Sequence, residues 1–360
     1  MVRIQSEPLA RMISATFQQA GAAKTEADAI SNNLVSASLC GHDSHGVVRV
    51  PRYLAHQAEG FMHFGKQVTT LVESDSLVVL DGQYGFGQIV GKQATDIGIN
   101  KAQQRGVALV ALRHAGHLGR IGEWAERACD AGIVSVHFVN VARSMLVAPF
   151  GGRERRMSTA PVTIGVVNPM GDNFILDFAT SRIAEGKALV ALKGGGELKP
   201  DTLVSADGSL SNDPFALYGD VAPGAVPDPR QGPGALVAMG EHKGSGLAMA
   251  CELLAGALTG SGVTGKGSGP YNGMLSVYLD PNAIDDGHGF GSSVNDYIEY
   301  VRSCSPAIGV ECVQIPGDPE RRAKTERLEL GIPLSEETYQ NLVSAARERD
   351  VPSELIALAV

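Results

Sequence analysis

Apolar residues recur at helical spacing through the first forty positions. Leu9, Met12, Ile13 and Phe17 fall on one face of a helix over residues 7–20. Ile30, Leu34, Val35 and Leu39 make a second stripe, with Thr25 and Asp28 as a capping box at its start and Gly41 as its stop. The polar run His42–His45 therefore falls in a loop just past a helix end, where functional side chains concentrate. From residue 76 the pattern changes. Ser76–Leu80, Val107–Leu112 and Ile133–Val139 read as strands. Between them lie a helical stretch to about Gln104 and another over residues 120–130, with Ile121, Trp124, Ala125 and Ala128 on one side. Further on, Ala160–Val167, Phe174–Phe178 and Asn272–Leu279 read as strands, and Met249–Leu258 as an apolar, buried helix. Lys193–Glu197 and Pro223–Gly234 read as loops, and Ser335 as the N-cap of a helix in the tail. Alternating strands and helices predict an α/β class.

The chain has 360 residues, enough for two domains or one large one. Apolar residues make up 44% and charged residues 19%, the balance of a globule with a sizeable core. A net charge of −9 argues against a nucleic-acid partner, which needs a basic face. It leaves a small anionic substrate open, because local Arg or His can override the global sign. Cys40, Cys129, Cys251, Cys304 and Cys312 are odd in number and lack CxxC spacing. Reduced thiols in a cytoplasmic protein are expected, with no disulfide framework and no metal site. No signal core and no apolar run of membrane-spanning length is present, so no membrane partner is expected.

Four segments carry candidate chemistry. Gly85-Phe86-Gly87-Gln88-Ile89-Val90-Gly91 is near a dinucleotide fingerprint, but no acidic residue clearly closes a second strand about 20 residues later. A helix entry that needs small residues for close packing is the better explanation, and no Rossmann fold follows. In Ser44-His45, the imidazole is the natural group to exchange a proton with a hydroxyl or carbonyl oxygen near pH 7. Arg49 nearby can grip a carboxylate with two parallel hydrogen bonds. The turn His114–Gly122 offers His117 as a second acid/base. Its free N–H groups, with Arg120, suit a phosphate or carboxylate. Lys243, in the glycine-flanked turn Gly240–Gly246, can also meet a phosphate, although the P-loop spacing is absent. Each segment alone also fits an ordinary polar turn.

Taken in order, six motifs resemble the malate/L-lactate dehydrogenase family, which is unrelated to the Rossmann lactate dehydrogenases. They are Gly41-His42-Asp43-Ser44-His45-Gly46, His114–Gly122, Pro149-Phe150-Gly151-Gly152-Arg153, Leu176–Ser181, Lys243-Gly244 and Ile315-Pro316-Gly317. They run over nearly the whole chain. His137-Phe138-Val139 and Glu241–Gly244 are most similar to the bacterial hydroxycarboxylate dehydrogenases. The resemblance implies a non-Rossmann, L-sulfolactate dehydrogenase-like α/β fold: a mixed sheet with helices, and N- and C-terminal helices packed together. It implies a helical, substrate-side domain over 1–75 and 280–360, and an NAD(P)-binding domain over 76–279. It further implies a homodimer with sites near the subunit interface. The activity implied is hydride transfer between NAD or NADP and a small 2-hydroxy or 2-oxo acid.

Residue by residue, the family's proton donor falls on His45 with Ser44 beside it, its carboxylate arginine on Arg49, and its second histidine on His117. Cofactor contacts fall on His117, Leu118, Gly119, Arg120, Ile121, Ser144, Thr159, Asp177, Phe178, Ala179, Lys243, Gly317 and Asp318. Three positions depart from the pattern. Ala160 stands where the family has Asn, which leaves a catalytically silent binding protein as one alternative. Asp318 stands where it has Glu. Lys187 stands where relatives that reduce cyclic imino acids carry Asp, which favours an oxo or hydroxy acid over an imine. Arg153, Arg155 and Arg156 could meet the 2′-phosphate of NADP or form an exposed basic turn.

Overall fold

A computed structural model describes residues 2–192, 196–222, 227–265 and 269–357. The chain opens with β1 (Val2–Ile4), α1 (Ser6–Gln19) and α2 (Lys24–Leu39), then two single 3-10 turns (Asp43–His45 and Val47–Arg49) and α3 (Val50–Ala58). A hairpin of β2 (Thr69–Glu73) and β3 (Leu77–Asp81) leads to α4 (Gly87–Arg105), β4 (Val107–Ala115), α5 (Gly122–Asp130) and β5 (Val134–Val141). A second hairpin, β6 (Pro161–Val166) and β7 (Phe174–Ala179), precedes α6 (Glu185–Leu192). A small sheet of β8 (Leu203–Val204), β9 (Leu210–Ser211) and β10 (Ala235–Leu236) encloses α7 (Phe215–Tyr218). Then come α8 (His242–Cys251), which widens to a π-helix over Glu252–Leu258, and β11 (Asn272–Leu279). The tail is α9 (Phe290–Arg302), α10 (Asp318–Leu330), β12 (Ile332–Leu334), α11 (Glu336–Arg347) and α12 (Ser353–Ala357).

The main sheet has the order β2-β3-β4-β11-β5-β6-β7. Only β3 and β4 run parallel, joined across α4. β11 enters between β4 and β5, antiparallel to both. That insertion makes the sheet mixed and excludes a doubly wound Rossmann order. One face of β11 is fully buried at Met274, Ser276 and Tyr278, and on the other Leu275 is buried while Val277 and Leu279 are partly exposed. Ser276 lies opposite His137 of β5 in the register, and the two side chains hydrogen-bond at 2.8 Å.

The two chain ends share one core. Leu9, Ile13, Phe17, Ile30 and Leu34 pack with Ile332, Leu342 and Ala346, and β1 pairs with β12 from Val2↔Leu334 to Ile4↔Ile332. The apolar stripes of the first two helices are the surfaces buried there. A second core lies between the main sheet and helices α4 and α5. A third gathers Leu146, Met157, Leu203, Leu217 and Ala248 around the small sheet.

Several elements differ from the sequence reading. Ala23, not Thr25, is the N-cap of α2, and no side chain caps it. Asp28 instead accepts from Ser14 at 2.6 Å, brought to it by the packing of α1, and from Lys24 one turn earlier on α2. Arg113, His114 and Ala115 belong to β4 and not to a turn, since Asp81 and Asn272 pair with Arg113 and Ala115 across the strand. The stretch 249–258 is not buried all round. Ala248, Cys251 and Ala255 face the core, while Met249, Leu253 and Leu258 are 53–66% exposed. Parts of the loops at 193–197 and 223–234 lie outside the described residues. Gly41 and Ser335 do as the sequence predicts. Gly41 ends α2 at φ +82°, and Ser335 Oγ accepts from Thr338 N–H.

Candidate active site

The loop after α2 is held from three sides. Gly46 passes so near α2 that a Cβ there would lie 2.0 Å from Ser38 Oγ, so only glycine fits. The same hydroxyl accepts from Val47 N–H. On the other side, α10 clamps the loop: His42 Nε2 meets Glu320 at 3.0 Å, and Arg327 grips the Asp43 carboxylate with two nitrogens. Within this frame Ser44 Oγ and His45 Nδ1 lie 3.0 Å apart, and the Arg49 guanidinium donates to the Ser44 carbonyl. Gly186, at the start of α6, sits against Ser44, where an added Cβ would lie 3.1 Å from Ser44 Cβ.

His117 reaches the same place from the turn between β4 and α5. Its ring stacks on His45 at 5.5 Å between centroids and 16° between planes. Tyr53, from α3, places its hydroxyl 2.7 Å from His117 Nδ1. Gln88, from α4, donates to Tyr53 at 3.0 Å and to the His117 carbonyl at 3.3 Å. Thus Ser44, His45, Arg49 and His117, singled out from the sequence, converge. Tyr53 and Gln88 join them without having been singled out. Tyr53 is four positions after Arg49 and so on the same helical face. Gln88 is the one strongly polar side chain inside the glycine-rich pattern at 85–91.

Both imidazoles are held neutral. Burial, and next the positive charge of Arg49, lower His45 to about 3. The same two causes, in the same order, push His117 well below its ordinary value. Burial raises Tyr53 to about 12, so its hydroxyl keeps its proton. At neutral pH the site therefore presents one fixed cation, Arg49, beside two uncharged proton carriers.

The glycines at 85–91 serve packing. A Cβ on Gly87 would lie 2.2 Å from the His117 carbonyl oxygen, and one on Gly91 would lie 2.8 Å from the Leu118 side chain. Around the start of α5 the expected cofactor residues are already engaged within the chain. Gly122 N–H donates to Asp177 at 2.8 Å, and Thr163 donates to the other oxygen of Asp177. Arg120 is fully buried and bound to Glu126 through both terminal nitrogens. Leu118 N–H donates to Asn272. Gly119 adopts φ +72°, and Ile121 is the N-cap of α5. Phe178 and Ala179 lie on β7 opposite Val162 and Pro161, and the Thr159 carbonyl accepts from Thr180. Asp318 accepts from Arg302 and Arg321 at the start of α10, just after Gly317 at φ +100°. Ser144 sits in the turn after β5, and Lys243 is exposed in the first turn of α8. Of the three arginines set aside for a 2′-phosphate, Arg155 spends its guanidinium on the carbonyls of Leu217, Gly232 and Gly234, and Arg156 pairs with Glu154. Arg155 is thus a structural staple for the α7 region.

A family model described as malate/L-lactate dehydrogenase matches residues 4–343. The chain belongs to that family. Within the family, hydroxycarboxylate dehydrogenase B of Escherichia coli (strain K12) is 35% identical, covering 98% of this chain and 96% of that protein. L-lactate dehydrogenase of Cupriavidus necator is 33% identical over 90% of this chain and 91% of its own length. The solved sulfolactate dehydrogenase of Methanocaldococcus jannaschii superposes with a TM-score of 0.86 at 29% identity, covering 98% of this chain and 99% of that one. Membership makes the chain an oxidoreductase of the dehydrogenase type, on the sulfolactate-type α/β fold that the sequence motifs imply. Among the described residues no helix is long and apolar enough to cross a membrane.

Proposed function

We propose that the chain is an NAD(P)-dependent oxidoreductase that interconverts small 2-oxo and 2-hydroxy carboxylic acids. The observation that carries this reading is the stacked pair His45–His117 beside Arg49. One fixed cation beside two neutral imidazoles is the charge pattern for a small acid with an oxygen next to its carboxylate. Arg49 takes the carboxylate in a charge-assisted, two-pronged bond. The neighbouring oxygen then lies against the imidazoles. Burial is the main cause that holds both rings neutral and the Arg49 charge the second; binding the carboxylate offsets that second cause and so favours the protonated imidazole that reduction needs. His45 is the group that exchanges the proton, with Ser44 orienting it.

A nicotinamide dinucleotide, when bound, supplies or accepts the hydride. The chain's donor set fits the anionic part of such a group: Lys243 stands exposed at the first turn of α8, where its ammonium can meet a phosphate at the positive end of the helix. Ser144, Thr159, Asp177–Ala179 and the Gly317–Asp318 turn are the further contacts proposed. A homodimer is the assembly proposed, as the family resemblance implies. The direct test mixes the protein with NADH or NADPH and a panel of 2-oxo acids and cyclic imino acids, following loss of the reduced nicotinamide. Rapid oxidation with 2-oxo acids is expected. Imine activity far above oxo-acid activity would reassign the substrate, and no oxidation with any compound would sink the reading.

A further inference from the structure

The proton exchange proposed above leaves a buried run of polar groups without a task. Tyr53, Gln88 and Asn33 are 1%, 2% and 4% exposed, and they lead from the interior to the far nitrogen of His117. Two backbone groups fix the polarity of this run. Gly119 N–H ends on His117 Nδ1 at 3.3 Å, and a backbone N–H can only donate, so Nδ1 carries a lone pair. The His117 carbonyl can only accept, and it faces Gln88 at 3.3 Å, so the Gln88 atom there is the amide nitrogen. That nitrogen also donates to Tyr53 Oη. The Tyr53 hydrogen is thereby left to point at Nδ1, 2.7 Å away.

We infer that Tyr53 and Gln88 are positioning residues that hold His117 with its proton on Nε2, so that the ring meets the substrate as a hydrogen-bond donor. This rests on the proposed function for its catalytic consequence. A neutral imidazole of fixed tautomer polarises a carbonyl oxygen and does not give up its only N–H proton. The histidines therefore divide the work. His117 Nε2–H binds and polarises the 2-oxo oxygen. The proton that ends on that oxygen comes from His45 as the imidazolium, formed by uptake of a solvent proton once the substrate carboxylate offsets the Arg49 charge, and His45 returns to the neutral imidazole; the hydride comes from the reduced nicotinamide. A second observation favours a functional role for the amide. Gln88 Oε1 is buried with no hydrogen-bond partner among the described residues, an arrangement that an apolar side chain would avoid if packing were the only need.

The test reads the ring nitrogens of His117 by 15N NMR on the substrate-free protein, which examines the tautomer whether or not the dehydrogenase reading holds. A protonated Nε2 and a bare Nδ1 are expected. In Tyr53→Phe the His117 signals should move toward a mixture of tautomers. In the same variant kcat for a 2-oxo acid should fall between about ten- and a thousand-fold, with KM changed less. Gln88→Leu should act in the same direction, and it serves if Tyr53→Phe folds poorly. A proton on Nδ1 in the unmodified protein would overturn the inference. So would unchanged ring signals and kcat in a folded Tyr53→Phe or Gln88→Leu.

Discussion

Gly87→Ala is the most revealing single substitution outside the histidines. Gly87 is the first residue of α4, and its missing side chain lets the helix start press on the turn that carries His117. An added Cβ would meet the His117 carbonyl oxygen at 2.2 Å, its carbon at 2.6 Å and Leu118 Cα at 2.7 Å. All three are backbone atoms, so no side chain can rotate away. Restoring ordinary contact requires the turn and the helix to part by about 1 Å. Alanine's better helix propensity contributes about 0.5–1 kcal/mol, less than the overpacking cost of about 1–3 kcal/mol. The thermal midpoint should therefore fall. A displacement of about 1 Å at His117 should lower kcat roughly a hundred-fold. The assay is steady-state oxidation of reduced nicotinamide with a 2-oxo acid, beside a thermal melt. Gly246→Ala, in α8 with nothing within 4 Å of its added Cβ, is the control and should change neither by much. Wild-type kcat and thermal midpoint in Gly87→Ala would refute the packing argument. A defect confined to cofactor KM would return this glycine to a dinucleotide-binding role.

Three further outcomes follow from the same geometry. His45→Ala should lose at least about a hundred-fold in kcat; near-wild-type turnover would move the proton exchange to His117. Glu126→Ala strands the fully buried Arg120 guanidinium, and urea unfolding should show a loss of about 3–5 kcal/mol; a loss below about 1 kcal/mol would mean that Arg120 finds water or another partner. Buried His137, lowered to about 3 by desolvation between Ser135 and Ser276, resists protonation in the folded state. Its folded value lies below the unfolded value near 6.5, so its contribution is fully present above about pH 6.5 and is lost as pH falls toward 3. His137→Gln should therefore reduce the acid-side slope of stability by about 1.4 kcal/mol per pH unit in that window; an unchanged slope would mean that His137 titrates normally.

The sequence makes the helical stripes, most strands and the His42–His45 loop legible, because burial on one face leaves a period in the residues. Gly41 and Ser335 are legible for a different reason: a left-handed stop and an N-cap are local chemistry. What stays hidden is pairing at long range. β11 reads correctly as a strand, but its place between β4 and β5 depends on contacts more than a hundred residues away in sequence. In the sequence β4 ends at Leu112, because Arg113 and His114 look like turn residues until Asp81 and Asn272 are seen beside that strand end. Arg120 reads as a ligand for an anion, yet Glu126 and burial claim it first. Asp28 looks like half of a capping box until α1 brings Ser14 to it. At the site, His45, Arg49 and His117 carry their chemistry in their side chains and announce themselves. Tyr53 and Gln88 meet His117 only in the folded arrangement, and the sequence marks them faintly, by a four-residue step from Arg49 and by one polar side chain among glycines.

The most direct measurement compares kcat/KM for a 2-oxo acid with that for its uncharged amide, in the unmodified protein and in Arg49→Ala, with reduced nicotinamide saturating. The amide keeps the reacting carbonyl and removes only the charge that Arg49 would bind. Two charge-assisted bonds of about 1.5–3 kcal/mol each set the expected preference for the acid at a hundred-fold or more. Arg49→Ala should erase most of that preference, chiefly through KM. An enzyme that reduces acid and amide equally well, or an Arg49→Ala variant that keeps the full preference, would contradict the assignment of this site to 2-oxo acids.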